Sequence, residues 1–263
     1  MSWTTLDVAL VQEPAGLDPA ANRARLDELV PHGPDLVVLP EAFARDFGTP
    51  GEPLGPYAEP LDGPFVAEVE RVARDRGTTI VAGMLERSED SEGPRPDAAS
   101  PYNTLVVRGG AEASYRKIHL YDSFGYRESD VLAAGPLTPT LVEIAGVPVG
   151  LMTCYDLRFP ELARRLVEAG AELLVVPAAW VAGERKVEHW RTLLRARAIE
   201  NTVFVAACGQ PAPRYCGHSM VIDPLGDVIA EAGPDAAVIS ATLARSALAE
   251  ARRVNPSLAN RRL

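Results

Sequence analysis

The spacing of short apolar runs limits what this chain can become. Residues 6–12, 35–39, 78–85, 102–108, 173–176 and 202–207 read as β-strands, the first two as buried ones. Helical patterns separate some of them. Residues 20–30 form one, ending near Pro31. Residues 64–76 form another, with Phe65, Val69, Val72 and Ala73 on one face and Gly77 as its stop. Residues 161–168 and 187–199 give two more, the last with a stripe of Trp190, Leu193, Leu194 and Ala198. Elsewhere there is no room for a helix. Residues 102–108 run into 113–116, 141–145 turns at Gly146 into 147–152, and Asp223-Pro-Leu-Gly226 joins 217–222 to 228–231. A purely parallel sheet needs a crossover at every connection, so an α/β fold with mixed sheets is expected. At 263 residues the chain can build one large domain, and 1–263 is expected to be one. Residues 43–61, rich in Gly and Pro, read as a loop over the site, and 87–100 as a polar hairpin tip or short insertion. A last short strand is expected at 238–241, with a helical start from Thr242.

Three of the apolar runs end in residues that carry chemistry. The run 35–39 stops at Pro40, and Glu41 follows. The pair 102–108 and 113–116 leads into Lys117. The run 147–152 ends in Thr153-Cys154, and a helical pattern begins a few residues later. Strand ends are where open α/β sheets build sites. A thiol at a strand-to-helix junction can be exposed to a substrate, and a helix N-terminus favours thiolate. Each residue also has an ordinary reading. Cys154 is then a small buried hydrophobe, Glu41 a solvated loop carboxylate and Lys117 a surface charge.

The formal net charge of −10 disfavours nucleic acid or an anionic membrane as partner, though a pocket can still be locally basic. Three cysteines without framework spacing fit a reducing, cytoplasmic setting. No Cys-x-x-Cys, His-Glu-x-x-His or phosphate-loop pattern is present, so neither metal nor cofactor is expected. No apolar run reaches the roughly 20 residues that span a bilayer.

Taken together, Leu39-Pro-Glu41, Tyr115-Arg-Lys117-Ile-His-Leu and Cys154-Tyr-Asp-Leu-Arg-Phe-Pro-Glu161 resemble the nitrilase superfamily of carbon–nitrogen hydrolases. Further matches are Tyr102-Asn103-Thr104, His189-Trp190, Arg195-Ala-Arg-Ala-Ile-Glu-Asn201 and Gly217-His218-Ser219. The resemblance implies a four-layer α-β-β-α sandwich. It implies a homodimer or higher homo-oligomer, with helices 160–168 and 187–199 at the interface. It makes Cys154 the nucleophile, Glu41 the general base and Lys117 the oxyanion's cation. The backbone N–H of Tyr155 is a natural second donor, and Glu128 a second glutamate that bonds Lys117. The implied reaction is hydrolysis of a small linear amide through a thioester. The stretch 154–162 is most similar to deaminated glutathione amidases and the 2-oxoglutaramate-cleaving omega-amidases, both with carboxylate-bearing substrates. The loop 121–128 is short and lacks their usual Pro-Gly. N-carbamoyl hydrolases and nitrilases share the triad but commonly carry Cys-Trp-Glu or Cys-Asn-Asp where this chain has Cys154-Tyr-Asp156. A binding module without catalysis is a further alternative, and the intact triad counts against it.

Other residues have two readings. His119 is a second base or, preferably, a structural residue beside the lysine. Arg158 binds a substrate carboxylate or, preferably, ties the junction to an acidic side chain. Cys208 reads as a buried strand residue and Cys216 as a residue lining the pocket, with a regulatory thiol as its alternative. Ala179 and Trp180 follow a strand end that should face the site. They are expected to shape the substrate wall, with Phe43 and Tyr126.

Overall fold

A computed structural model describes residues 3–88 and 100–262. The hairpin tip or insertion expected at 87–100 thus lies almost wholly outside the described residues. Two six-stranded sheets form the centre. The first contains β1 (Thr5–Gln12), β2 (Leu36–Val38), β3 (Thr79–Glu86), β4 (Tyr102–Arg108) and β5 (Ala113–Arg116) in chain order, with β14 (Ala237–Ala244) beside β1. A small hairpin, β6 (Asp122–Ser123) and β7 (Tyr126–Arg127), leads to the second sheet. That sheet runs in order through β8 (Leu141–Ile144), β9 (Val147–Leu151), β10 (Leu173–Ala178), β11 (Phe204–Gly209), β12 (Met220–Ile222) and β13 (Val228–Glu231).

Both sheets are mixed, and in the same pattern. Three parallel strands, β1-β2-β3 in one and β9-β10-β11 in the other, carry one antiparallel neighbour on one side and two on the other. Under this correspondence β2 and β10 are equivalent middle strands.

Side-chain alternation along β1 defines the layers. Leu6, Val8 and Leu10 join Leu36, Val38 and Val81 in a core shared with Val149, Leu151, Val175 and Val205 of the second sheet. Ala9 and Val11 face the other way. They pack with Val37, Ile80 and Ala82 under α3 (Pro64–Arg76), which contributes Phe65, Val66, Val69 and Val72. The outer face of the second sheet is covered by α4 (Pro160–Glu168) and α5 (Lys186–Asn201), through Leu162, Leu166, Trp190 and Leu194. This is the four-layer α-β-β-α sandwich expected. The bounds of α3 are those of the sequence pattern, since Pro64 sits in the first turn and Gly77 caps the end at φ 65°.

Several boundaries differ. The helix expected at 20–30 is broken into α1 (Pro19–Ala24) and α2 (Leu26–Leu29). At the break the Arg25 N–H reaches back three residues to the Asn22 carbonyl. Asn22 is itself buried and bonded to Gly16 and Ala44. The strand expected to end at Ala241 continues to Ala244 because it pairs with all of β1, so α6 (Arg245–Val254) starts later. A short α7 (Ser257–Asn260) follows. Among the described residues, no helix is long and apolar enough to cross a membrane.

Candidate active site

Glu41 follows β2, Lys117 follows β5, and Cys154 follows β9, so two sheets supply the three side chains. Each is placed by local backbone chemistry. Pro40 ends the β2 run, and Ala42 turns the chain with a left-handed φ of 54°. Cys154 itself has φ 46°. A non-glycine residue held there costs roughly 1–3 kcal/mol, which the surrounding structure must supply. Asp156 is the brace. Its buried carboxylate accepts from the Thr153 N–H (2.9 Å), the Tyr115 hydroxyl (2.6 Å) and the His119 N–H (3.1 Å), and bonds His119 Nδ1 (2.7 Å). The turn at Cys154 is thereby fastened to the segment that carries Lys117. His119 stacks on Phe159 at 3.8 Å, in line with the structural reading of that residue.

The buried Lys117 ammonium donates to Glu41 Oε1 (2.9 Å) and to both oxygens of Glu128 (3.0 and 2.8 Å). Glu41 Oε2 accepts from the Ala179 N–H at 2.6 Å, just past β10. The ends of the two equivalent middle strands therefore meet at one carboxylate. Asn103, on β4, donates to Glu41 Oε1 (2.7 Å) and to Glu128 Oε1 (3.4 Å). Gln210 donates to the Glu41 carbonyl at 3.0 Å. Asn103 was legible only as part of a motif match, and Gln210 carried no signal, because its segment looks like any strand end.

Burial governs the electrostatics. It would by itself lower the Lys117 ammonium, but Glu128, Glu41 and Cys154 raise it well above the usual lysine range. Burial pushes the Glu128 carboxyl up, against the pull of Lys117. Burial and then the charge of Glu41 push the Cys154 thiol well above its ordinary value, with Lys117 opposing. The expected help from a helix N-terminus is absent. Cys154 opens a short 3-10 turn, Cys154–Arg158, and α4 begins only at Pro160. Burial and the neighbouring Glu41 thus favour the protonated thiol.

Glu41, Lys117, Glu128 and Cys154 all open onto one cavity of about 1030 Å³. Tyr126, Ala179 and Trp180 are in its wall, as expected. Phe43 is not. It is fully buried under α3, because the turn at Ala42 points it into the core. The Tyr155 ring is not in the wall either. It packs edge-on against Tyr121 and Phe159, and what it can offer is its backbone N–H beside Cys154. Cys216 bonds weakly to the Val181 carbonyl, outside the wall, and its neighbour Tyr215 lines the cavity instead. Residues 43–61 are less of a free loop than their composition implies. Asp46 accepts from the Tyr215 hydroxyl (2.6 Å), the Gly48 N–H (2.9 Å) and Arg214 Nη1 (2.6 Å).

This arrangement can be compared with known proteins. Residues 7–253 match the carbon–nitrogen hydrolase family. The chain is a carbon–nitrogen hydrolase. Among its relatives, a deaminated glutathione amidase of Escherichia coli O157:H7 is 40% identical over 86% of this chain and 84% of that protein. A 2-oxoglutaramate amidase of Paenarthrobacter nicotinovorans is 37% identical over 87% of this chain and 78% of that protein. A solved carbon–nitrogen hydrolase superfamily protein of Xanthomonas campestris, with an arsenic adduct in its active site, superposes with a TM-score of 0.86. It is 33% identical, over 99% of this chain and 98% of that one. The nitrilase-superfamily resemblance read from the sequence is thus correct, and this carbon–nitrogen hydrolase is an enzyme of non-peptide C–N bonds.

Proposed function

We propose that this hydrolase cleaves a small linear amide to carboxylate and ammonia through a thioester on Cys154. The observation that carries the reading is one buried carboxylate, Glu41, bonded to Lys117 on one oxygen and to the Ala179 N–H on the other, beside the Cys154 thiol. Because burial and Glu41 disfavour the thiolate, a base must act during attack. Glu41 takes the thiol proton as sulfur adds to the amide carbon. The carbonyl oxygen becomes an oxyanion, stabilised by the Lys117 ammonium and the Tyr155 N–H. One such donor is worth roughly 10²–10³ in rate. Glu41 then returns the proton to nitrogen, the C–N bond breaks, and ammonia leaves. Water attacks the thioester with Glu41 again taking a proton, and the acid departs as the thiol re-forms. Glu128 holds Lys117 charged and oriented throughout. Tyr126, Ala179 and Trp180 form the substrate wall.

The names of the relatives favour deaminated glutathione and 2-oxoglutaramate as the first substrates to try. Ammonia release is measured on these two, on carbamoyl amino acids and on nitriles, with Cys154→Ala as control. Cys154-dependent release from an amide supports the proposal. Turnover of nitriles or carbamoyl compounds alone would move the enzyme to another branch. An inert Cys154 with no turnover would overturn catalysis by this triad.

A further inference from the structure

One ammonium in the site faces two carboxylates. Glu41, Glu128 and Lys117 are all buried, and Lys117 Nζ reaches both acids. Burial pushes the Glu128 carboxyl up, Lys117 pulls it down, and the charge of Glu41 pushes it up again. A buried pair of acids gives up one of its charges unless further donors hold both.

Asn103 is placed to be such a donor. It lies in β4, fully buried, and is not in the cavity wall. Its Nδ2 donates to Glu41 Oε1 at 2.7 Å and to Glu128 Oε1 at 3.4 Å. Lys117 Nζ reaches the same two oxygens, at 2.9 and 3.0 Å. The backbone carbonyl of Asn103 accepts from the Lys117 N–H at 2.8 Å. All three charged residues therefore meet on Asn103. The other half of its amide is idle, since Oδ1 is buried and has no hydrogen-bond partner. A buried acceptor without a donor is destabilising, and packing alone does not account for it. Turning the amide over would set Oδ1 against two carboxylate oxygens, acceptor on acceptor. The acids thus decide which way it faces.

The same bonds sort the two oxygens of Glu41. Each carboxylate oxygen has two lone-pair sites. Oε1 accepts from both Lys117 and Asn103, so both of its sites are filled. Among the described N–H groups, Oε2 accepts from Ala179 alone. One site on Oε2 is left for the thiol proton.

We infer that Asn103 is a positioning residue, which keeps Glu41 and Glu128 ionised side by side and occupies Oε1, so that Oε2 of Glu41 takes the Cys154 proton. The inference rests on the amidase reading and adds to it the group that prepares the base and the atom that reacts. The proton moves from Sγ to Oε2 as the S–C bond forms, and from Oε2 to the leaving nitrogen as the C–N bond breaks. Asn103 itself neither gains nor loses a proton.

The test is the pH profile of kcat/KM for 2-oxoglutaramate in the wild type, Asn103→Leu and Asn103→Asp. Activity needs the base ionised, so loss of a donor moves the acid limb of the profile to higher pH. The two acids titrate together, and the limb belongs to the pair. Leucine removes the donor at similar volume. It should move the limb up by about 1–2 pH units, the worth of one hydrogen bond to a charged group. Aspartate keeps the shape, which guards against misfolding of the leucine variant, but sets a third carboxylate beside the pair. It should move the limb further. The other titratable groups near the pair, Lys117, Cys154 and Tyr126, are common to all three proteins. Glu86 is engaged elsewhere, by Thr104 and Arg116. KM should stay within about 2-fold, because Asn103 does not reach the cavity. Difference infrared titration of the carboxyl band, with Glu41→Gln and Glu128→Gln to assign it, reads the same shift without turnover. Acid limbs that coincide with the wild type in both variants, with kcat lowered equally at every pH, would overturn the inference and make Asn103 a brace of β4. A raised KM with the limb unmoved would also overturn it, by setting Asn103 against the substrate. An infrared shift in a protein that hydrolyses no amide would uphold the hold of Asn103 on the pair while the amidase reading failed.

Discussion

A β-carbon on Gly83 would lie 2.8 Å from the Cα of Glu41 and 2.4 Å from the nitrogen of Ala42. The contact is with backbone on both sides, so no side-chain rotation relieves it. Gly83 is therefore the seat on which Glu41, the proposed general base, rests. Gly83→Ala should push the 41–42 turn away from Lys117 and Ala179. Misplacement approaching 1 Å costs about 100-fold in rate, and overpacking about 1–3 kcal/mol in stability. Ammonia release together with a thermal melt checks both, and unimpaired turnover would show that the turn has room to move.

The charge of Glu41 is one reason that the Cys154 thiol is raised. Removing that charge must lower the thiol pKa, so in Glu41→Gln alkylation of Cys154 should begin at lower pH than in the wild type. Amide turnover should fall in the same variant by at least about 100-fold, because the base is gone. A more reactive thiol in a less active enzyme separates general-base catalysis from catalysis by a resting thiolate. Rates of iodoacetamide labelling across pH, set beside ammonia release, provide the comparison.

Asp156→Ala strips the acceptor from Tyr115, His119 and the Thr153 N–H together. Donors left buried without a charged partner cost about 1.5–3 kcal/mol each. The combined loss should be at least about 3 kcal/mol, and kcat should drop with it, because the turn at Cys154 and the segment after Lys117 lose their shared anchor. Denaturant unfolding and steady-state kinetics on one preparation measure the two effects.

Alkaline stability carries a clear sign. Burial, followed by Asp156 for Tyr115 and by Asp46 for Tyr215, raises both phenols far above the ordinary tyrosine range. A group with a raised folded pKa contributes stability that is intact below its unfolded value, near 10, and lost as pH climbs beyond it. Two such tyrosines should make stability fall by about 2.7 kcal/mol per pH unit in that window. Phenolate absorbance should show that two of the seven tyrosines ionise only as the protein unfolds.

Much of this was legible in the sequence because Glu41, Lys117 and Cys154 each stand just after a strand-like segment, and strand ends are where side chains can converge. Helix α3 was legible to the residue, since proline and glycine punctuate it. Other features depend on contacts between distant segments. Asp46 meets Tyr215 across 169 residues, and no local pattern announces the pair. Phe43 looked like a wall residue because it neighbours Glu41, yet one left-handed residue between them reverses its direction. Arg158 showed its type but not its company. Whether an acid reaches it is decided by packing, and none among the described residues does.

The proposed triad straddles two sheets, with Glu41 and Lys117 following strands of one and Cys154 a strand of the other. No disulfide fixes their separation; the apolar layer between does, together with the bonds of Asp156 to Tyr115 and His119 and of Glu41 to the Ala179 N–H. Catalysis is therefore a gauge of how those sheets are seated. A slip of that layer too small to unfold either sheet would silence the enzyme, and on warming, activity should vanish ahead of helicity.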